Sequence, residues 1–484
     1  MLSLLNEIWP HIVGGLTLLV TLVASGHAVL NKRDARSAVA WVGVIWLVPV
    51  LGALLYLIFG INRIRRRAKA LRSDQNHLPC HPQCVSKYQC KVDADQVLNQ
   101  HRRFISLSRL VEGIVHKPLL QGNRITPLVN GDTAYPAMIR AIDGAEHFVT
   151  LSTYIFDNDK AGRLFLDALA RAVGRGVDVR VLVDDVGARY SWPPMTRMLQ
   201  RAGITVARFL PTSLPWRMPY INLRNHRKIL VVDGKTGFTG GMNIRKGHML
   251  MENPRYPVQD LHFQVEGPVV AHLQENFAED WAFCTGESMQ GEQWFPCIEP
   301  KGTVVARGIP DGPDEDFEKL LWTVHGALAC ARRSVRIVTP YFIPDSTLTT
   351  SLNLAAMRGV DVEIILPQEN NLRIVKWAST SLLLECLEHG CRVWLTAPPF
   401  DHTKLMLVDD VWVLFGSANM DTRSFLLNFE FNVECYDHGL AAEMNSLIDT
   451  KLKNAHQVTL QEIRNRKLPV RLRDGVARLF SPYL

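Results

Sequence analysis

The chain has 484 residues, with 54 Lys and Arg against 47 Asp and Glu for a net charge of +7, and it is 47% hydrophobic and 8% aromatic. This composition excludes a disordered or low-complexity protein and supplies more than one typical domain. The positive balance suits a negatively charged partner, whether lipid or nucleic acid; nine cysteines, an odd number in so large a chain, read as reduced thiols rather than a disulfide framework.

Two apolar runs come first, Ile12 to Leu30 and Ala38 to Phe59, the second without a charged residue. Each is near the ~20 residues that cross a bilayer as a helix. No basic region precedes the first run and a second follows after seven residues, so the pair reads as a transmembrane hairpin and not as a cleaved signal. Trp41, Trp46 and Tyr56 are candidate interfacial anchors, and Pro49 with Gly52 is a candidate bend. Lys32, Arg33 and Arg36 lie between the spans, and a heavier cluster, Arg63, Arg65, Arg66, Arg67, Lys69 and Arg72, follows them. By the positive-inside rule the heavier cluster, and with it the rest of the chain, faces the cytoplasm. Residues 1–72 are thus the hairpin with its basic juxtamembrane segment, and 73–104 a linker. The linker holds Cys80, Cys84 and Cys90 near His77 and His81, without the paired spacing of a zinc site.

The remainder is a tandem duplication, divided at 105–295 and 296–484. Arg175-Gly-Val-Asp-Val179 recurs as Arg358-Gly-Val-Asp-Val362, Ala202-Gly-Ile-Thr-Val206 is echoed by His389-Gly-Cys-Arg-Val393, and His262-Phe-Gln-Val-Glu266 by Glu430-Phe-Asn-Val-Glu434. Strands and helices alternate in each half, which predicts an α/β class with mainly parallel or mixed sheets covered by helices on both faces. The halves are expected to pack face to face about a pseudo-twofold axis.

Each half carries one copy of the same string: His226-x-Lys228-x4-Asp233-x6-Gly240-Gly241-x-Asn243, and His402-x-Lys404-x4-Asp409-x6-Gly416-Ser417-x-Asn419. The apolar residues after each lysine predict a strand, where side chains two apart share a face. His226 and Lys228 therefore point one way, as do His402 and Lys404. Asp233-Gly234 is a hairpin turn signal that brings Gly240 and Asn243 back beside His226; Asp409-Asp410 is a weaker version. At these turns the two aspartates read either as turn formers or as participants in the site. Two half-sites facing each other give two imidazoles and two ammonium groups, the equipment of a metal-free phosphoryl-transfer centre. Tyr154, Phe156, Tyr341 and Phe342 follow equivalent strands and read either as the lining of the site's mouth or as core.

Asn225-His-Arg-Lys-Ile229, Gly240-Gly-Met-Asn243, Gly416-Ser-Ala-Asn-Met-Asp421 and Arg423-Ser-Phe-Leu-Leu-Asn-Phe-Glu430 resemble the bacterial cardiolipin synthases of the phospholipase D superfamily, and the resemblance covers nearly the whole chain. It departs after Asn243, where Ile-Arg-Lys-Gly-His248 replaces an acidic, tyrosine-bearing run, and at Pro367-Gln-Glu-Asn-Asn371, which lacks an aspartate. It implies two phospholipase D-type α/β/α sandwich halves, an inner-membrane location, no cofactor and no metal. It further implies transfer of a phosphatidyl group between two phosphatidylglycerol molecules, giving cardiolipin and glycerol, with anionic membrane lipids as partners and no nucleic acid. Hydrolysis, another alcohol acceptor, or a superfamily nuclease are the alternatives. In this reading His226 is the nucleophile and His402 the acid and base; Lys228, Lys404, Asn243, Ser417 and Asn419 bind phosphate, and Glu430 and Asp260 orient the histidines in an order that the sequence leaves open.

Overall fold

The computed structural model describes residues 2–32, 35–60, 98, 102–211, 223–313 and 316–481. The basic cluster from Arg63 to Arg72, and Cys80, Cys84 and Cys90, lie outside them. The N-terminal unit is built of helices α1 (Leu2–Asn31), α2 (Ala35–Leu47) and α3 (Pro49–Leu55), followed by a π-helical turn over Tyr56–Gly60. Ile8–Asn31 is long and apolar enough to cross a membrane. The second apolar run is not one helix. Val48 leaves the helical conformation, at φ −138° and ψ 79°, before Pro49, whose ring and missing N–H end α2 and begin α3, as the proline predicted. Tyr56 is not a lipid-facing anchor: it is buried, its hydroxyl 2.7 Å from His27 Nδ1 and its ring edge-on to Trp41.

The first half of the larger unit contains β1 (Leu120–Val129), β2 (Phe148–Thr153), β3 (Asp178–Asp184), β4 (Thr205–Phe209), β5 (Arg224–Asn225), β6 (Ile229–Val232), β7 (Thr236–Gly240), β8 (Val258–Gln259) and β9 (Leu261–Glu266). The second contains β10 (Val304–Asp311), β11 (Ser334–Val338), β12 (Phe342–Ile343), β13 (Asp361–Pro367), β14 (Arg392–Thr396), β15 (Phe400–Asp401), β16 (Leu405–Val408), β17 (Trp412–Gly416), β18 (Met420–Asp421), β19 (Asn428–Tyr436) and β20 (His456–Val458).

One mixed sheet runs β20-β14-β13-β11-β16-β17-β19-β10 and continues β1-β9-β7-β6-β2-β3-β4. Apart from β20, the order on one side of the β10–β1 seam repeats that on the other. The duplication seen in the sequence is therefore a pseudo-twofold in space. The halves meet edge to edge along antiparallel β1 and β10, with Leu120 opposite Ala306, and not face to face as expected. β2, β3 and β4 run parallel, as do β11, β13 and β14. Buried Val, Leu, Ile and Ala from these strands and their covering helices form one core per half.

Packing crosses the boundary drawn at residue 105. The helix Arg102–Val115 presents Phe104, Leu107, Val111 and Val115 at helical spacing, and all four enter the core of the second half. It lies against the helix Lys319–Cys330 closely enough that a Cβ on Gly326 would meet Leu110 Cδ2 at 2.5 Å. Of the described cysteines, Cys284, Cys330, Cys386, Cys391 and Cys435 are free, as expected, but Cys297 is disulfide-bonded, which corrects the reading of a wholly reduced set.

Candidate active site

Two short parallel ladders cross between the halves and build the site. β5 pairs with the start of β19, and β15 pairs with β8. The residue after each short strand is the histidine: His226 N donates to Phe429 O at 2.9 Å, and His402 N to Gln259 O at 2.8 Å. Both imidazoles thus sit at strand crossings, near the carboxyl ends of the parallel strands, where open α/β sheets commonly bind ligands.

The crossings also decide which carboxylate serves which histidine. His226 Nδ1 lies 3.0 Å from both Glu430 oxygens, and His402 Nδ1 lies 2.8 Å from Asp260 Oδ2. Each histidine therefore takes its carboxylate from the other half. An ionised carboxylate only accepts, so it fixes the proton on Nδ1 and leaves Nε2 with a lone pair. Lys228 Nζ donates to His226 O and Lys404 Nζ to His402 O, so each lysine folds back over its own histidine, as the shared strand face predicted. All six groups are buried.

Arg227, between His226 and Lys228, points away into the protein. Fully buried, it pairs with Asp280 and donates from Nε to Glu430 O, fastening the first half-site to β19. Tyr154 stands edge-on to His226 with ring centroids 5.3 Å apart, and Tyr341 stands likewise to His402 at 6.3 Å. Phe156 and Phe342 belong to the cores.

The two half-sites are not equivalent. Glu430 accepts from His226, from Asn428 Nδ2 at 3.0 Å and from Ser417 Oγ. Burial alone would raise its pKa, but the His226 and Lys228 charges and the Ser417 hydroxyl outweigh it and hold the carboxyl at about 2. At the matching position in the first half stands Gly241, where a Cβ would come within 2.3 Å of Asp260 Oδ1. No side chain fits there, so Asp260 lacks the hydroxyl that Glu430 has, and burial pushes its carboxyl up despite Lys404. The small difference between Gly240-Gly241 and Gly416-Ser417 thus separates one firmly ionised acid from one held less firmly.

Burial and clustered positive charge act on the bases. Desolvation lowers His226 to about 4, against the pull of Glu430. His402 falls well below its ordinary value through burial and the charges of Lys404 and Lys228. Burial takes Lys228 to about 7, aided by Lys404, and Lys404 to about 8. A dense group of cationic side chains that bury at a cost is poised for an anion, which would restore their charge.

Asn243 is buried, with Oδ1 accepting from Ile155 N at 3.0 Å; Asn419 is buried too, and its Oδ1 has no hydrogen-bond partner among the described residues. Asp233 and Asp409 are not at the site. Asp233 accepts from the backbone N–H groups of Glu146, His147 and Phe148, and Asp409 from those of Arg332, Arg333 and Ser334, at the far ends of the hairpins. Both take left-handed backbone angles, φ 50° and 53°, with Gly234 and Asp410 also positive, as a two-residue hairpin turn requires. Of the two sequence readings, turn former is the one the geometry supports.

His248 was missed by sequence reasoning. It closes a 3₁₀ turn over Lys246–His248, is 2% exposed, and its ring centroid lies 6.4 Å from that of His402. The only signal in the sequence was the altered run after Asn243.

Comparison with known proteins agrees with this geometry. The family described as "Cardiolipin synthase, PLD-like domain" matches residues 138–281 and 325–452, and "Phospholipase_D-nuclease N-terminal" matches 19–60. Cardiolipin synthase A of Pseudomonas putida (strain GB-1) is 33% identical over 478 residues, covering 98% of this chain and 99% of the relative. Cardiolipin synthase 1 of Bacillus cereus (strain ATCC 14579) is 31% identical over 475 residues, covering 96% and 92%. The crystal structure of phosphatidylserine synthase from Haemophilus influenzae Rd KW20 shares the fold at a TM-score of 0.61 and 16% identity, over 78% of this chain and all of that one. With two half-sites of one pattern on a duplicated sheet and full-length relatives above 30% identity, the chain belongs to the cardiolipin synthase family of phospholipase D-like proteins.

Proposed function

We propose that the protein is a membrane-bound phosphatidyltransferase that converts two phosphatidylglycerol molecules into cardiolipin and glycerol. The observation that carries this reading is the pair of buried imidazoles, each held at Nδ1 by a carboxylate of the opposite half and each flanked by a lysine. His226 Nε2 attacks the phosphorus of the first lipid; the N–P bond forms as the bond to the glycerol headgroup oxygen breaks. His402, which holds a proton on Nε2 once the bound phosphate offsets the lysine charges, gives that proton to the oxygen. The hydroxyl of a second phosphatidylglycerol headgroup then returns a proton to His402 and attacks the phosphorus, releasing His226. Lys228 and Lys404 neutralise the phosphoryl oxygens, and Asn243 donates a hydrogen bond to them. His226 is assigned the covalent step because Glu430, held at about 2, keeps its full negative charge beside the cationic phosphoimidazole.

A lipid substrate fits the surface near His226. Tyr190, 57% exposed, packs against Tyr154, and Trp192 is 83% exposed; aromatic side chains of this kind settle at the headgroup level of a bilayer. In phosphatidylglycerol vesicles the expected products are cardiolipin and glycerol in equal amounts, by mass spectrometry of the lipid extract and assay of the aqueous phase. Phosphatidic acid as the main product would make the enzyme a hydrolase. A new lipid formed only with another alcohol or with phosphatidylethanolamine would mean that the run from Arg245 to His248, beside His402, has changed the acceptor.

The lysines set a pH dependence. In the free enzyme Lys228 and Lys404 are lowered to about 7 and 8, so they are charged below these values and lose charge as the pH rises through them. Since kcat/KM reports free-enzyme ionisations, it should decline from about pH 7 upward, while kcat at saturation declines at higher pH because bound phosphate raises both values. A flat kcat/KM from pH 7 to 9 would contradict this.

The second apolar run and the basic cluster from Arg63 to Arg72 support two spans with the catalytic body in the cytoplasm. A membrane-impermeant protease added to intact cells should spare the region after Arg72. Cleavage there from outside would reverse the orientation.

A further inference from the structure

The helix Leu468–Leu479 has three distinct faces. Ala477 and Asp474 are buried against the body, where Asp474 pairs with Arg466 and Arg473, and Arg473 stacks on Trp377 at 4.4 Å. On the outside, Leu468, Leu472, Val476 and Leu479 are 65%, 60%, 56% and 76% exposed. At 3.6 residues per turn these four project within an arc of ~80°. Lys467, Arg471 and Arg478, all exposed, follow along one margin of that stripe, and the one acidic residue of the helix, Asp474, is turned inward. Phe480 extends the apolar face at 50% exposure.

The position of this face matters as much as its composition. Ala477 shares a packed cluster with Ile343, Val375, Ala378 and Leu382, and Tyr341 packs against the same cluster. Tyr341 is the residue that stands edge-on to His402. The helix and the ring beside His402 therefore pack on one shared cluster. An apolar stripe with a one-sided basic margin is the pattern of a helix that lies in a membrane interface, its apolar residues among acyl chains and its cations against headgroup phosphates. A partner protein would require only the stripe; the margin, which has no counter-charge among the described residues, selects an anionic surface.

We propose that the helix Leu468–Leu479 is a second membrane contact of the catalytic body, seated in the headgroup layer of an anionic bilayer and delivering lipid to the His402 side of the site. This rests on the lipid reading of the site for its consequence, but not for its detection. The full-length protein, reconstituted in vesicles containing diazirine-labelled phosphatidylglycerol, should form lipid adducts mapping to Leu468–Phe480 by mass spectrometry. Adducts there should fall at least fivefold in the variant L472Q/V476Q/L479Q and in neutral vesicles where a diazirine-labelled phosphatidylcholine replaces the phosphatidylglycerol, and should persist in His226→Ala, which separates docking from catalysis. With long-chain phosphatidylglycerol in vesicles the triple variant should turn over at least tenfold more slowly, whereas with a short-chain, monomeric phosphatidylglycerol it should stay within twofold of the parent. Adducts confined to Ile8–Asn31, equal labelling in neutral vesicles, or equal loss on both substrates would overturn the proposal. So would a change of oligomeric state in the triple variant, which would assign the stripe to a second copy.

Discussion

Substituting His226 by alanine is expected to abolish the covalent phosphatidyl enzyme and to lower turnover by on the order of 10⁴-fold or more, the scale seen when a nucleophile is removed. The loss is large because the N–P bond has no second route: His402 is tied to Asp260 and not to Glu430, so it does not inherit the environment of His226. His402→Ala should behave differently. With an ordinary headgroup it should be equally inactive, but with a lipid carrying a good leaving group, which departs without a proton, it should still accumulate labelled enzyme. Rapid quenching with a labelled lipid checks both. Labelling that survives His226→Ala and disappears in His402→Ala would exchange the two roles.

Asp409→Ala is expected to unfold the protein more readily while sparing the chemistry. Its carboxylate is fully buried, accepts three backbone N–H bonds and meets Arg103 at 3.0 Å. Hydrogen bonds to a charged group contribute about 1.5–3 kcal/mol each and are not additive, so a loss of roughly 3–5 kcal/mol follows. Thermal denaturation should show a midpoint lower by several degrees, with turnover per folded molecule within about threefold of the parent. Asp233→Ala should do the same on a smaller scale, being slightly exposed. A collapse of turnover at unchanged melting temperature would return these aspartates to the reaction.

The sequence made the duplication, the strand character around each lysine and the pairing of His with Lys legible, because these depend on local periodicity. The role of the aspartates was within reach too. Five strand residues at ~3.3 Å each carry Asp233 some 16 Å from Lys228, too far to share its site. What could not be read was the exchange of carboxylates, since it depends on β5 finding β19 and β15 finding β8 across the halves. Nor does any periodicity in the chain place His248 beside His402, because a 3₁₀ turn held by packing has no long repeat to betray it. The face-to-face expectation failed for a related reason: the twofold follows from duplication, but which edges meet is decided by β1 and β10, which stand outside the repeated motif.

The crossed ladders have a consequence for failure as well as for function. Because neither half owns a complete histidine–carboxylate pair, any event that parts the two halves strips both imidazoles of their partners at once. A damaged or half-folded molecule is therefore silent instead of leaky. For an enzyme whose substrate is the membrane that houses it, that coupling is a safeguard, since a lone half with a working nucleophile and no controlled acceptor would digest the bilayer around it.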